Sequence, residues 1–288
     1  MTNIRSRGPD PPPLRNGKPV NGEWKLAAKR ILARVGLRAP AEWVWKRRPW
    51  GAAYREQQLW LQAADRLDND RMRLVLASVL DVDSNCIDIG ASEGVFLREM
   101  FRLSPLGSHI AYEPLKADFD RLVAEFPQAL IRNLAVSNTS GSSSYAHVSN
   151  APGWSGLHEY EMPVRDLKVE TIKVDTVRLD DDLPPGYVPN LIKIDVNGAE
   201  RQVFEGALET LRIHRPVVIF EHGTAAAAYD TTPDMIFELL VRRCDLQIFD
   251  LQGNGPFDLE EFITAGRTKW NFLARPSTSA RGGRPQTT

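Results

Sequence analysis

The chain has 288 residues, 42% hydrophobic and 25% charged, a globular composition with enough length for one large domain or two small ones. Its 36 basic and 37 acidic residues leave a formal net charge of −1, so no overall field draws it to nucleic acid or to an anionic membrane. No run approaches the roughly 20 apolar residues of a transmembrane span, and no signal-type apolar stretch follows the N-terminus. Two distant cysteines, Cys86 and Cys244, offer neither a disulfide framework nor metal-ligand spacing and fit a reducing, cytoplasmic setting.

Residues 1–22, with Pro11-Pro12-Pro13 among Arg, Gly and Asn, bury too little apolar surface to offset ordering and read as a disordered tail. Residues 23–80 read as a helical segment. Trp24, Ala27, Ala28, Ile31 and Leu32 share one face, and Leu59, Leu67, Met72, Val75, Leu76 and Val79 recur at three-to-four spacing. Trp43, Trp45, Trp50, Tyr54 and Trp60 lie among Lys46, Arg47, Arg48 and Arg55. That mixture reads first as aromatic packing with solvated cations, and second as a surface for a partner, a membrane or a substrate.

Over residues 81–275 short apolar runs alternate with helical stretches, the pattern of a parallel sheet with crossover helices. Strands are predicted at 86–89, 109–113, 130–134, 191–195, 217–221, 246–250 and 270–274, and helices at 94–103, 117–126, 199–211 and 233–243. Gly141 to Asp182 breaks the rhythm: it is polar and turn-rich, with Val169, Thr171, Ile172, Val174 and Val177 alternating as in a β-insertion. Residues 276–288 read as a second tail.

The first predicted strand runs through Asp88-Ile89-Gly90-Ala91-Ser92-Glu93-Gly94 into a helix, so two glycines let the backbone turn and approach a ligand at the strand tip. The second strand ends in Tyr112-Glu113-Pro114, which places a carboxylate where it can grip both hydroxyls of a ribose. A nicotinamide site favours Gly-x-Gly-x-x-Gly so that pyrophosphate can sit on the helix N-terminus. Here Asp-x-Gly-x-x-x-Gly with Glu93 in the turn repels phosphate and suits a cationic sulfonium with an amino-acid tail.

A second motif lies at the fourth core strand, Leu191-Ile192-Lys193-Ile194-Asp195-Val196-Asn197-Gly198-Ala199-Glu200, followed by Val203-Phe204-Glu205-Gly206-Ala207. With the cradle, Tyr112-Glu113-Pro114, Asn133-Leu134-Ala135-Val136-Ser137, Thr176-Val177-Arg178-Leu179-Asp180 and Val218-Ile219-Phe220-Glu221, it resembles the FkbM family of class I methyltransferases over roughly Asn85 to Ala274. The resemblance implies an α/β, Rossmann-like class I methyltransferase. Its sheet would have seven strands, mostly parallel with the last antiparallel, flanked by helices and carrying S-adenosylmethionine across the strand tips. It further implies O-methylation of a hydroxyl on a sugar or other small metabolite. Asp88, Gly90, Ala91, Ser92 and Gly94 would line the methionine and ribose side, Glu113 would hold the ribose, Asn133 and Ala135 would border the adenine, and Asp195 would face the transferred methyl. One departure is Asn197, where the family usually has Glu: Asn keeps a hydrogen-bonding side chain but cannot act as a base.

A hydroxyl acceptor needs a proton acceptor near the fourth and fifth strand tips, and Asp195, Glu221 and His222 are the candidates. The same three could offer ligands to Mg²⁺ or a transition ion, but no spacing enforces it, and Asp180-Asp181-Asp182 reads as a solvated turn; no metal is expected. Trp154, His158 and Tyr160 could stack on a saccharide acceptor, though packing is the commoner use of such residues. Two alternatives stay open: a catalytically inactive S-adenosylmethionine-binding partner protein, and a nicotinamide-dependent oxidoreductase.

Overall fold

The computed structural model describes residues 49–158 and 167–277. The two predicted tails, apart from Pro276 and Ser277, lie outside the described residues, as do the face carrying Trp24, Trp43, Trp45, Tyr160 and the side chains of Trp50, Tyr54 and Trp60. The chain forms two compact units, Met1–Leu67 and Asp68–Thr288. Helix α1, Pro49–Val79, supplies the end of the first and the start of the second.

In the larger unit the strands and helices alternate as the apolar runs do: β1 (Cys86–Ile89), α2 (Val95–Leu103), β2 (His109–Tyr112), α3 (Lys116–Glu125) and β3 (Leu130–Arg132). After an excursion come β7 (Leu191–Ile194), α5 (Glu200–Gly206), α6 (Leu208–His214), β8 (Val217–Glu221), α7 (Pro233–Phe237), β9 (Leu246–Asp250), α8 (Leu259–Ala265) and β10 (Asn271–Pro276). The excursion holds β4 (Ala135–Val136), β5 (Gly141–Val148), β6 (Val169–Val177) and the single-turn α4 (Leu179–Asp182). β4, β6 and β5 form their own three-stranded sheet, with β5 antiparallel to β6, so the predicted β-insertion is a second small sheet.

The main sheet has seven strands in the order β3-β2-β1-β7-β8-β10-β9, parallel except for β10, which runs antiparallel to both neighbours. β1 to β3 build outward in one direction and β7 onward in the other, so the order reverses between β1 and β7. In an open α/β sheet the crevice at that reversal is where ligands sit.

Strand alternation sorts the core into two layers. Ile87, Ile89, Ile110, Tyr112, Ile192, Ile194, Val218 and Phe220 pack on one face with Val203 and Phe204 of α5, Ile236 of α7 and Phe262 of α8. Cys86, Ala111, Leu191, Val217 and Ile219 face the other way, onto Met72 and Leu76 of α1 and Phe96, Leu97 and Met100 of α2. Both faces are covered, which is why the strands read as unbroken apolar runs.

Two predicted helices are divided. The 199–211 helix breaks at Ala207, and the carboxylate of Asp180 accepts from the backbone N–H groups of Glu209 and Thr210, and from the Thr210 hydroxyl, at 2.7–3.0 Å. The 233–243 helix is α-helical to Phe237 and π-helical over Glu238–Arg243.

Candidate active site at the β1 and β7 strand tips

The cradle turn is a run of left-handed backbone, with φ of 77° at Gly90, 45° at Ser92 and 72° at Gly94. At Gly90 a Cβ would stand 2.0 Å from the carbonyl oxygen of Asp195, so the turn lies directly on the β7 tip and only glycine fits. The backbone N–H groups of Gly90 and Ala91 both donate to the Tyr112 carbonyl, and that of Asp195 donates to the Ile89 carbonyl, tying three strand ends together.

Glu113 closes the other side of the turn. One carboxylate oxygen accepts from the Ser92 N–H and the other from the Leu115 N–H, each at 2.8 Å. Burial pushes its pKa up to about 7 against these two hydrogen bonds. Asn133 spends its amide N–H groups on the carbonyls of Glu113 and Pro114, so it fixes the loop that carries Glu113. Ala135 is buried in β4, beside the loop at the end of β3.

Asp88 is placed differently from the expectation. It is 0% exposed, and it stands opposite Lys193 in the β1–β7 register, on the face covered by α2. Its carboxylate lies 3.4 Å from the Lys193 ammonium and makes no hydrogen bond. It therefore lies behind the cradle and supports it, because both flanking strands are buried and the side chain projects into the α2 layer.

Lys193 itself was not singled out from the sequence. It is 5% exposed, donates to the Gly90 carbonyl at 3.1 Å, lies 3.6 Å from Asp195 and sits above the Phe96 ring at 5.5 Å. Burial pulls its pKa down, but the carboxylates of Asp88 and Asp195 outweigh that and hold the ammonium charged. The available signal was a charge at the third position of each of two otherwise apolar buried strands.

Asp195 is 43% exposed at its side chain and is the open member of the carboxylates at the strand tips. Glu221, at the tip of β8, is within hydrogen-bonding reach of it, and burial together with the charges of Asp195 and Glu200 raises the Glu221 pKa well above the ordinary carboxylate range. Glu200 accepts from the N–H groups of Val196 and Gly198 and so braces the turn after Asp195. His222 is not brought to this group. Its ring stacks on Phe262 with centroids 5.7 Å apart, and burial alone lowers its pKa. Successive residues at a strand end face opposite ways, which sends Glu221 to the crevice and His222 to the core.

Among the carboxylates considered for metal, Asp180 caps α6, while Asp182 accepts from the Tyr112 hydroxyl and pairs with Arg132. Asn197 adopts left-handed backbone at φ 54° and donates to the carbonyls of Gly153 and Ser155. His158 packs edge-on against Tyr229, while Trp154 is half-buried.

This strand order, with a glycine turn at its reversal point and an acidic second strand, defines a Rossmann-like class I methyltransferase fold. Residues 88–248, more than half of the chain, match the methyltransferase FkbM domain family, and the chain belongs to that family. Among solved structures it is similar to the methyltransferase FkbM from Methylobacillus flagellatus KT (15% identity, TM-score 0.44), covering 68% of this chain and 44% of that one. It is also similar to StiE O-MT residues 961–1257 (13%, 0.42; 83% of each chain) and to the plantazolicin methyltransferase BpumL in complex with SAH (11%, 0.41; 88% and 97%). The chain thus spans less than half the length of the Methylobacillus protein. No curated protein matches it.

The cofactor of this family is S-adenosylmethionine. The residues present fit it: the Gly90–Gly94 turn brings bare backbone to the crevice, and each Glu113 oxygen, having accepted one backbone hydrogen, keeps a lone pair for a hydroxyl.

Proposed function

We propose that the chain is an S-adenosylmethionine-dependent O-methyltransferase acting on a hydroxyl of a sugar or another small metabolite. The observation that carries this reading is the hydrogen bond between the Ser92 N–H and the Glu113 carboxylate, which joins the glycine turn and the acidic second strand into one cradle at the sheet's reversal point. In this reading Gly90, Ala91, Ser92 and Gly94 line the cofactor, Glu113 accepts from the ribose hydroxyls, and Asn133 and Ala135 border the adenine. Asp88 acts from behind, through Lys193.

When bound, the cofactor supplies a methyl group on a cationic sulfonium, already activated for transfer. The protein's part is to hold an acceptor oxygen in line, exclude water and receive the acceptor's proton. Asp195, exposed toward the crevice, accepts that proton. Glu221 stands beside it with its pKa raised well above the ordinary carboxylate range, and Lys193 pairs with the Asp195 carboxylate before it takes up the proton. His222 supports the β8 tip by packing on Phe262.

Calorimetry with S-adenosylhomocysteine and with NAD tests the cradle; binding of NAD alone would sink the reading. Methyl-labelled cofactor incubated with a small-molecule extract tests transfer. An Asp195→Ala variant should bind S-adenosylhomocysteine normally and lose most turnover, roughly 10²-fold or more. A protein that binds but never transfers would be a cofactor-binding partner instead.

A further inference from the structure

The segment 152–158, Pro-Gly-Trp-Ser-Gly-Leu-His, is tied down on two sides. On one side it returns to the small sheet: Gly156 and Ala146 exchange backbone hydrogen bonds at 2.7 and 3.1 Å, and the Ser155 hydroxyl accepts from the Val148 N–H at 2.9 Å. On the other side it is held by the turn that follows Asp195. The Asn197 amide donates to the Gly153 carbonyl at 3.0 Å and to the Ser155 carbonyl at 2.9 Å. The Tyr229 hydroxyl, from the 3₁₀ turn Thr224–Tyr229 after β8, accepts from the His158 N–H at 2.9 Å. Packing is close at this seam: a Cβ on Gly156 would lie 3.0 Å from the Tyr229 hydroxyl and 3.6 Å from the Asn197 Cβ, and one on Gly198 would lie 2.5 Å from the Ala225 carbonyl oxygen.

Three chain segments distant in sequence therefore meet two residues beyond Asp195. The segment held there contains no acid, lysine or arginine, and carries the half-buried Trp154 and the exposed His158.

We propose that Asn197 is a positioning residue for the methyl acceptor: by pinning Gly153 and Ser155 to the β7 tip it makes 152–158 one wall of the acceptor site beside Asp195. An uncharged wall bearing an indole suits a neutral, ring-shaped hydroxyl compound such as a saccharide, and disfavours a phosphorylated or strongly charged one. The proposal rests on the methyl-transfer reading above and assigns a substrate-side role to a residue with no part in binding the cofactor.

Asn197→Asp preserves shape and tolerates the left-handed backbone, but a carboxylate cannot donate and would face two carbonyl oxygens. Tyr229→Phe removes the second tie by independent chemistry. Wild type and both variants would be given methyl-labelled S-adenosylmethionine with a dilution series of small-molecule extract, and S-adenosylhomocysteine affinity would be measured on each by calorimetry. For Asn197→Asp the extract concentration giving half-maximal labelling should rise at least about tenfold, with a smaller rise for Tyr229→Phe. The plateau rate and the affinity for S-adenosylhomocysteine should stay within about twofold of wild type. Unchanged half-saturation in both variants overturns the proposal, as does a loss confined to the plateau or to cofactor affinity. Wild type that binds S-adenosylhomocysteine but labels nothing overturns the methyl-transfer reading, and this proposal falls with it.

Discussion

At the scale of single residues, the proposed cofactor site turns on two buried charged groups, Glu113 and Lys193. With burial holding the Glu113 pKa at about 7, the carboxylate changes charge across the neutral range. An ionised carboxylate accepts hydroxyl hydrogens more strongly than a protonated one. Affinity for S-adenosylhomocysteine should therefore fall about tenfold between pH 8 and pH 6. Glu113→Gln should bind more weakly and lose most of that pH dependence, because an amide does not titrate and its NH2 would face a backbone donor. Calorimetry at three pH values checks both, and a wild-type affinity that ignores pH would separate Glu113 from the ligand. Among the described residues, Lys193 is the only cation within ion-pair distance of the buried Asp88. Lys193→Met should destabilise the fold by about 3–5 kcal/mol, whereas Asp88→Asn combined with Lys193→Met should recover much of the loss, since the uncompensated charge goes with its partner. Urea denaturation of the two variants decides it.

At the scale of elements, what could be read from the chain was local. The runs that start at Cys86, Val217 and Leu246 are buried on both faces almost throughout, and β1, β8 and β9 have the predicted bounds. The second strand stops at Tyr112, one residue short of the expectation, as Glu113 turns its carboxylate to Ser92. The division at Ala207 was invisible because its cause lies in another element: Asp180 takes the first N–H groups of α6. Asp180→Ala should cost about 1–2 kcal/mol, as loss of a helix cap does, read as a lower denaturation midpoint with an unchanged slope. A neutral result would make the break intrinsic to Gly206-Ala207. The same argument covers the site: the Gly90 turn and Glu113 were legible from spacing. The Asp88–Lys193 pair depends on strand register, and the ties of Asn197 depend on a loop more than forty residues away.

At the scale of the whole molecule, sheet order is set by crossover and packing, which periodicity does not encode, and the resemblance to a known family supplied it. The same burial that builds the sheet gives a signed dependence of stability on pH. Glu113 and Glu200 are each raised to about 7 and Glu221 well above its ordinary value, chiefly by burial. In the folded state these carboxyls bind protons more tightly than in the unfolded chain. The stability they give is present below about 4.5 and is lost as pH rises through 7. His109 and His222 are lowered by burial and act oppositely: their contribution is present above 6.5 and is lost as pH falls. From 4.5 the two effects oppose each other; the histidine contribution fades over about one pH unit above 6.5 as the unfolded-state imidazoles lose their protons, and the slope of the three carboxyls then prevails. The unliganded protein should therefore melt at a lower temperature at pH 8 than at pH 6.5. Glu200→Gln should flatten that fall, because the amide oxygen can still accept from Val196 and Gly198 without titrating. S-adenosylhomocysteine should oppose the fall by binding most tightly where Glu113 is ionised. Thermal scans of wild type and Glu200→Gln at pH 6.5 and 8, with and without that ligand, check the sign. A melting temperature that rises from pH 6.5 to 8 without ligand would show that the buried carboxyls are already ionised in the folded protein, compensated by charges such as Lys193.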